Sequence, residues 1–409
     1  WIAFFLIFQV IYVPILSIVL IYYGPFTNTR DMIVTTAMTT MSHQYFATLF
    51  LSKEKIDEIL AKNRPQENIE DQSLSAINIG SGISAEDMNG IELKDVSNDS
   101  YTGKLLIIND PSRVKLVSSP RLGTSGATTS QIVAENDAVA GINAGGFQDD
   151  ALGTGGKPAG LVIEDGQLRT TNTGASYSLV GMDKDNKMVV SNSMTYSKCQ
   201  QLNLRCAVSF GPVIIINGNA TIKSGTGGWG MQPRTAIAQR KDGAILMLVI
   251  DGRQKGSLGA TLRQVQDILL DNGAYNAFNL DGGASTTMVY NGNVVNSPSD
   301  ILGERYVPNA FIVTKPNKKG RITLKERKIK EKKVRKKINK KKLFINLAIY
   351  WAIGTIVTVV ALYLVERYVI SLSGADVNEN KKENKEKGVK TINISKNAKD
   401  IQYSYDNKY

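Results

Sequence analysis

The chain has 409 residues, of which 42% are hydrophobic and 36 are glycine, so it can bury a core and make many tight turns. The net charge of +12 comes from one run, residues 315–342, which holds 16 Lys or Arg and two Glu. No aromatic residue interrupts that run, which argues against nucleic-acid binding. The single histidine, His43, lies near the N-terminus, which excludes Ser-His or Cys-His dyads in the globular domain that follows and any multi-histidine metal site.

The N-terminal segment, residues 1–23, is uncharged and long enough to cross a bilayer. Pro14 lies in its middle, which a membrane helix tolerates. The apolar core is too long for a signal peptide, and no small-residue cleavage site follows it. We therefore predict an uncleaved transmembrane anchor.

Residues 24–100 are predicted to form a stalk helix and a polar linker. Residues 42–61 have helical periodicity, and Pro65 ends that pattern. Residues 68–100 are rich in Gly, Ser and Asp, a composition that is typical of a linker.

Residues 101–316 form the predicted globular domain, in which short β-rich runs alternate with turn dipeptides. Both positions of such dipeptides tolerate positive φ, as two-residue hairpin turns require. The dipeptides are Asp165-Gly166, Asp185-Asn186, Asn217-Gly218, Asp242-Gly243 and Asn291-Gly292. The pattern predicts an α+β fold with a largely antiparallel, hairpin-rich sheet and a few packed helices.

One helix in this domain has a clear start and end. Thr261 and Gln264 are spaced as a capping box, and Gly273 can supply the left-handed residue after the helix. A shorter helix is predicted from Ser130 to Asn136.

The C-terminal part is predicted to contain a basic segment at 317–342, a second transmembrane helix at 343–365 and a polar tail at 366–409. If the first span exports the domain, the basic segment lies outside the cell, against the positive-inside rule. A fused reading frame would resolve the conflict. We place the domain outside and leave the topology of the C-terminal part open.

The two cysteines, Cys199 and Cys206, are too few for a disulfide scaffold or a zinc site. A small-loop disulfide outside the cell and two thiols without a role are both compatible with the spacing.

Polar residues collect beside glycines at five predicted strand ends. Glycine lets backbone N–H groups approach a ligand and form anion-binding nests, and arginine can grip phosphate with two parallel hydrogen bonds. Each segment alone fits a simple turn, and only the joint pattern predicts a site. The segments are 142–147, 209–212, 232–236, 251–253 and 279–288.

These segments resemble the phosphodiester glycosidase family. The resemblance rests on INAGGF, SFGPVIIING, QPRTAIAQ, LVIDGR and, most specifically, FNLDGGASTTMVYNG followed by ERYVPNAFIV. It covers about Tyr101 to Thr314. The upstream GPFTNTRDMIVTTAMTTMSHQYFATLFLS also resembles the membrane-proximal region of bacterial members.

The resemblance implies a hydrolase that acts at a sugar C1–O–phosphate bond in cell-envelope or exopolysaccharide metabolism. Carried over by motif, Asp281 and Asp251 are site residues, and we predict catalytic roles for both from the mechanism below. The substrate-binding residues that the resemblance implies are Asn143, Gly145, Gly146, Arg234, Arg253, Gly282, Gly283, Ser285 and Arg305.

A provisional mechanism follows from the leaving group, a phosphomonoester whose second pKa is about 6, so that it departs with little protonation. Asp281 would act as nucleophile or base, while Arg234, Arg253 and the 282–285 backbone hold the phosphate. Asp251 would orient the sugar or assist proton transfer, and the reverse assignment of the two aspartates stays open.

No cofactor is predicted, because no spacing of possible ligands in the sequence indicates a metal site. Asp and Asn oxygens could still hold a hard cation such as Ca²⁺. The expected partners are a sugar-phosphate or polysaccharide substrate and the cell membrane, with the domain extracellular and the oligomeric state open. Two alternatives remain, a non-catalytic polysaccharide-binding module and a structural envelope protein.

Overall fold

A computed structural model describes residues 2–39, 43–66, 70–84, 87–148, 154–170 and 174–316. The predicted basic segment, second transmembrane helix and polar tail lie outside the described residues. Seven α-helices and seventeen β-strands occur in the described part of the chain.

The helices gather at the N-terminus and against the sheets. They are α1 (Ile2–Tyr23), α2 (Thr27–Met38), α3 (Tyr45–Thr48), α4 (Lys53–Asn63), α5 (Thr129–Glu135), α6 (Tyr196–Gln201) and α7 (Leu262–Asp271). α5 and α7 begin with capping boxes at Thr128 and Thr261, so both helices predicted in the domain are confirmed, α5 one residue earlier than predicted.

The first four helices form a separate small core, which we call the helical unit (residues 2–63). Val34, Ala47, Ile56 and Ile59 are buried in it. The stalk predicted as one helix over 42–61 is wrong in continuity, because the chain turns between α3 and α4. Ser52 starts α4 afresh by accepting a hydrogen bond from the backbone N–H of Lys55.

The helical unit also holds the predicted anchor. α1 is described with its side chains, without interruption, from residue 8 onward. Among the described residues, no single helix meets the length and hydropathy test for a membrane span, whereas the pair Phe8–Tyr23 and Thr27–Met38, bent by 93°, meets it jointly by length and composition.

The strands, in chain order, are β1 (Ile91–Asp95), β2 (Gly103–Ile108), β3 (Val114–Ser118), β4 (Ala138–Asn143), β5 (Val162–Glu164), β6 (Gln167–Leu168), β7 (Ser176–Asp183), β8 (Met188–Thr195), β9 (Leu204–Ser209), β10 (Val213–Ile216), β11 (Asn219–Ala220), β12 (Arg234–Arg240), β13 (Ile245–Ile250), β14 (Ala274–Leu280), β15 (Met288–Tyr290), β16 (Asn293–Val294) and β17 (Asn309–Thr314).

Three sheets result, in the orders β1-β2-β13-β12-β14-β10-β11, β16-β15-β4-β17-β3 and β6-β5-β9-β7-β8. Every strand pairing described within them is antiparallel. The α+β class with antiparallel, hairpin-rich sheets is therefore confirmed.

The predicted hairpin dipeptides occupy turns between consecutive strands. Asp165-Gly166, Asn217-Gly218 and Asn291-Gly292 have positive φ at both residues, which only such sequences adopt at little cost. At Asp242-Gly243, only the glycine has positive φ.

The linker prediction is wrong for part of its length. β1 lies inside residues 68–100 and forms the edge of the largest sheet, with Ile91 opposite Ile108. Its sequence, IELKD, alternates apolar and charged residues, so that Ile91 and Leu93 face the core while the polar side chains face outward. The polar composition of the segment conceals this period of two.

The core explains why the largest sheet is so apolar. Along β13, alternate side chains enter two different cores: Met247 and its neighbours pack toward the other two sheets, and Leu248 and its neighbours pack under α7. Because both faces are covered, all six residues of β13 are buried. This rigid layer fixes the positions of its strand ends, where the polar segments lie.

Candidate active site

The strand order of the largest sheet brings three predicted site segments together where β12 begins and where β13 and β14 end. β12 lies between β13 and β14 and runs antiparallel to both, so its first residue lies beside their last residues. Arg234 is opposite Ile250, and Thr235 is opposite Leu280. Asp251 and Asp281, which follow those two partners, therefore flank the start of β12.

Arg234 is a buried cation without a carboxylate partner among the described residues. Its side chain is enclosed, with the residue only 3% exposed. Nε donates to Ala260 O at 2.9 Å, and Nη2 donates to Trp229 O at 2.8 Å and Gly230 O at 2.6 Å. Burial, together with the neighbouring charge of Arg253, lowers the pKa of Arg234 to about 9, so the group stays cationic at neutral pH.

Arg253 and Arg305 extend this positive charge toward solvent. The Arg253 guanidinium donates from Nη2 to Gln232 Oε1 at 2.8 Å. Desolvation, and then the charge of Arg305, lowers the pKa of Arg253. Arg305 itself lies over the ring of Phe147, 5.0 Å from the centroid. The positive charges of neighbouring arginines add together and favour an anionic ligand.

The Asp281 segment lies directly against these arginines. Gly283 has φ +59°, and a Cβ added to it would lie 3.5 Å from Arg253 Nη2. A 3₁₀ turn, Gly283–Ser285, follows and ends at Ser285, which is buried. Gly283 N donates to Pro233 O at 2.9 Å, which ties the turn to the start of β12. Backbone and guanidinium thus meet at this point.

Asn143 connects the site to the second sheet rather than facing solvent. The residue is fully buried, and its Nδ2 donates to Asp281 O at 2.6 Å. Its Oδ1 accepts from Thr235 Oγ1 at 2.9 Å and from Thr287 N at 3.1 Å. With these contacts, Asn143 fixes the backbone on both sides of the Asp281 turn.

Asp251 is enclosed as well, with 4% exposure. Its Oδ1 accepts from Asn296 Nδ2 at 2.9 Å and from Ser297 N at 3.0 Å. Burial raises the pKa of this carboxyl, while the hydrogen bonds from Asn296 and Ser297 and the charge of Lys104 act in the opposite direction. The contacts place Asp251 beneath the segment after β16, and its catalytic role stays a prediction.

Gly145 and Gly146 have steric roles in this structure. A Cβ at Gly145 would collide with Val208, and one at Gly146 would lie 2.7 Å from the ring of Phe210. Their amides already donate within the protein, from Gly145 N to Asn309 Oδ1 at 2.8 Å and from Gly146 N to Ser209 O at 3.3 Å. Both glycines therefore allow two sheets to approach, and their predicted contact with substrate is not tested.

Sequence reasoning misses two polar residues that organise the site. Gln232 accepts from Arg253, and Asn296 donates to Asp251 and to Thr286 O at 3.1 Å. Gln232 lies in the quoted segment QPRTAIAQ, two residues before Arg234, which was the available signal. Nothing in the sequence around Asn296 marks it.

Other places that could hold a ligand lie apart from these strand ends. No group of three His, Cys, Asp or Glu residues in the described ranges could hold a metal ion. Two cavities of about 350 and 700 Å³ occur elsewhere, one beside α6 and one at the 240–242 and 270–275 loops. None of the predicted site residues lines either cavity.

Fold and site together define an antiparallel α+β protein with an arginine-rich anion site next to an aspartate turn. Residues 136–314 match the family model described as phosphodiester glycosidase. This match covers a little less than half of the chain and includes every predicted site residue.

Two curated proteins are similar to parts of this chain. The chain is 28% identical over 222 residues to N-acetylglucosamine-1-phosphodiester alpha-N-acetylglucosaminidase of Mus musculus, covering 49% of this chain and 42% of that protein. It is 38% identical over 85 residues to the SPbeta prophage-derived uncharacterized protein YomE of Bacillus subtilis, covering 21% and 13%. The chain thus spans less than half the length of either of these two relatives.

Among solved structures, the catalytic domain of zebrafish N-acetylglucosamine-1-phosphodiester alpha-N-acetylglucosaminidase aligns with a TM-score of 0.47 and 23% identity, covering 55% of this chain and 82% of that one. A putative exported protein of Burkholderia pseudomallei aligns with a TM-score of 0.40 and 18% identity, covering 52% and 74%.

Proposed function

We propose that this protein hydrolyses a sugar-1-phosphodiester by cleaving the bond between sugar C1 and the phosphate oxygen. The observation that carries the proposal is the uncompensated cation Arg234, buried beside Arg253 at the turn that begins with Asp281. A buried charge without a counter-ion is costly unless a ligand completes it. The family match over residues 136–314 and the name of the mouse relative support the class of ligand that we propose, a phosphodiester on a sugar.

The arginines would hold the phosphate of the substrate. Arg253 and Arg305 lie nearer solvent and would contact the phosphate oxygens, while Arg234 strengthens the positive potential behind them. As the C1–O bond breaks, negative charge grows on the departing phosphomonoester. Preorganised cations stabilise that charge in the transition state, and the departing group needs little protonation because its second pKa is about 6.

Asp281 would supply the carboxylate at sugar C1. It is half-buried, in contrast to Asp251, and its backbone is fixed on both sides by Asn143 and by Ala144 O, which accepts from Asp281 N at 3.0 Å. A rigid carboxylate can either attack the oxocarbenium-like centre or activate water. Asp251 is proposed to support this turn through Asn296, and a direct part in proton transfer remains its alternative.

The sugar ring would lie near two aromatic side chains. The rings of Phe210 and Trp229 meet edge to face at a centroid distance of 5.5 Å. Trp229 O accepts from Arg234, so this pair is adjacent to the arginines. Aromatic walls with a few fixed polar groups are the usual lining of small-molecule sites.

We further propose that the protein is anchored at the cell membrane, with this domain outside, and that it acts in envelope or exopolysaccharide metabolism. What supports the anchor is the uncharged sequence of α1 and its outward apolar side chains, among them Phe8, Val10, Ile11 and Ile15. Exposed apolar surface of this extent needs lipid or a protein partner.

The decisive experiment is hydrolysis of a panel of sugar-1-phosphodiesters by the full chain in ¹⁸O-labelled water. Cleavage at C1 puts the label in the sugar and none in the phosphomonoester. Asp281→Asn should lose more than about 10³-fold in kcat, the scale expected for a central carboxylate, while its melting temperature stays near that of the parent. Asp271→Asn, at the exposed end of α7, is the matched control.

Three results would count against the proposal. Label in the phosphate would mean phosphodiesterase chemistry rather than glycosidase chemistry. Tight binding of every substrate with no product would favour a polysaccharide-binding module, and full activity in Asp281→Asn would remove that residue from the reaction.

A further inference from the structure

The C-terminal end of α2 contacts the loop that holds the site arginines. This loop, Trp229–Gln232, supplies two of the three carbonyls that bind Arg234 and the amide oxygen that binds Arg253. Its other side lies against the helical unit. The loop is therefore enclosed between the anion site and a helix that is remote in sequence.

Gln232 connects the two sides directly. Its Oε1 accepts from Arg253 Nη2 at 2.8 Å, and its Nε2 donates to Thr39 Oγ1 at 2.6 Å. The side chain has little freedom, because Gln232 is 8% exposed and its backbone is bonded in both directions to Ala260. One amide thus spans the distance between a helix end and a guanidinium.

Chemistry fixes the orientation of this amide. A guanidinium has only donors, so it requires the oxygen end of Gln232. The nitrogen end must then find an acceptor, which the Thr39 hydroxyl provides. That hydroxyl still has its own proton, which it can give to Thr35 O at 2.9 Å. The Gln232 amide nitrogen and the Thr39 hydroxyl therefore each have an acceptor, and removal of the hydroxyl leaves a buried N–H without its best partner.

Further contacts hold the loop against the helical unit. Thr36 Oγ1 accepts from Met231 N at 3.0 Å, and Gly230 has φ +61° with its Cα facing Thr36, where a side chain would collide. At the preceding turn, Asn63 Oδ1 accepts from Thr226 N at 3.1 Å. The loop is positioned by α2 and α4 together, and only Thr39 reaches a site arginine through one intervening side chain.

We infer that Thr39 is a positioning residue of the active site, which fixes the Arg253 guanidinium through Gln232 for binding of the substrate phosphate. The inference rests on the proposed function for its link to catalysis. Apart from catalysis, it means that the affinity of Arg253 for an oxyanion depends on the Thr39 hydroxyl in the helical unit. That dependence can be measured without turnover.

The test is Thr39→Val in the full chain, compared with Thr39→Ser, which keeps the hydroxyl. Thr48→Val on α3 is the matched control, because its hydroxyl bonds only to Gln44 O among the described residues. We expect Thr39→Val to lower kcat/KM and to weaken binding of inorganic phosphate, each by about three- to tenfold, the effect of one hydrogen bond in a charged network. Thr39→Ser and Thr48→Val should stay within about twofold of the parent.

A double-mutant cycle with Arg253→Gln separates positioning from general damage. If Thr39 acts through Arg253, Thr39→Val costs nothing further in phosphate affinity once the guanidinium is gone. Equal losses in both backgrounds, or unchanged phosphate affinity in Thr39→Val, would overturn the inference. If the parent binds phosphate but cleaves no phosphodiester, the proposed function fails while the phosphate measurements still decide the role of Thr39.

Discussion

At the residue scale, Arg234 and Asp251 show two ways of burying an ionisable group. Arg234 keeps its charge and offsets the loss of water with three carbonyl oxygens, none of which neutralises it. Asp251 receives hydrogen bonds from Asn296 and Ser297, yet burial still raises the pKa of the carboxyl. The first arrangement is suited to attracting an anion, and the second to bracing a segment.

The raised pKa of Asp251 predicts a pH dependence of stability. Between its ordinary value of 3.8 and its raised value, the folded state binds more protons than the unfolded state, so the unfolding free energy falls as pH rises. Asp251→Asn keeps an acceptor for Ser297 but has no such titration. The stability of the parent relative to this variant should be greatest at low pH and should decline through that window.

Urea unfolding of both proteins from pH 3.5 to pH 7 measures this difference. A relative stability that rises with pH would mean that the ionised carboxylate is favoured by its partners, against the direction given by burial.

Some residue roles could be predicted from sequence and others could not. Arg253 and Asp281 stand beside glycines after the ends of β13 and β14, Arg234 begins β12, and antiparallel pairing brings these three strand ends together. Gln232 and Thr39 are 193 positions apart, and their contact exists only because α2 docks on that loop. No local pattern encodes such a contact, which explains why it was missed.

At the scale of elements, the hairpin turns are easier to predict from sequence than the edge strand β1. Asn217-Gly218 and Asn291-Gly292 are predictable because positive φ restricts the residues that can occupy the turn. β1 is an edge strand with one polar face, and its composition resembles that of a linker. The prediction of one continuous stalk helix is wrong for a similar reason, because Ser52 is both a common surface residue and a good N-cap.

The approach of β4 to β9 predicts the effect of a single added methyl group. Gly145→Ala would place a Cβ against Val208 in the space between two sheets, where neither backbone can shift freely. We expect a loss of about 1–3 kcal/mol in unfolding free energy, the usual effect of overpacking.

Gly174→Ala is the matched control, because a Cβ there meets no atom within 4 Å and Gly174 has no positive φ. Chemical denaturation of both variants measures the effect. A Gly145→Ala protein as stable as the parent would show that the two sheets can separate locally, and substrate contact would then become the better reason for the glycine.

At the scale of the whole molecule, the residues that build the sheets and support the candidate site begin upstream of residue 101. β1 belongs to the largest sheet, and α2 and α4 position the loop beside the arginines. From the sequence, these segments are predicted to be stalk and linker, because each is short and polar. The three-dimensional structure joins them to the site through Thr36, Thr39 and Asn63.

This boundary predicts that a fragment of residues 70–316 folds but binds phosphate poorly. It retains every described strand, yet Gln232 loses Thr39 and the 225–232 loop loses its helical support. We expect at least a tenfold loss in kcat/KM relative to residues 24–316, with the circular dichroism of the sheets retained. Equal activity of the two fragments would make the helical unit a simple spacer.

The two thiols have a practical consequence. Cys199 and Cys206 are unpaired and buried in different cores, and burial raises the pKa of Cys199 to about 11. Thiolates are the species that react with maleimides, so both native sulfurs are poor targets in the folded protein at neutral pH. Cysteines introduced on the surfaces of α4 and the exposed 301–302 loop would therefore accept fluorophores selectively, so that the distance between these two surfaces could be measured without first removing any native residue.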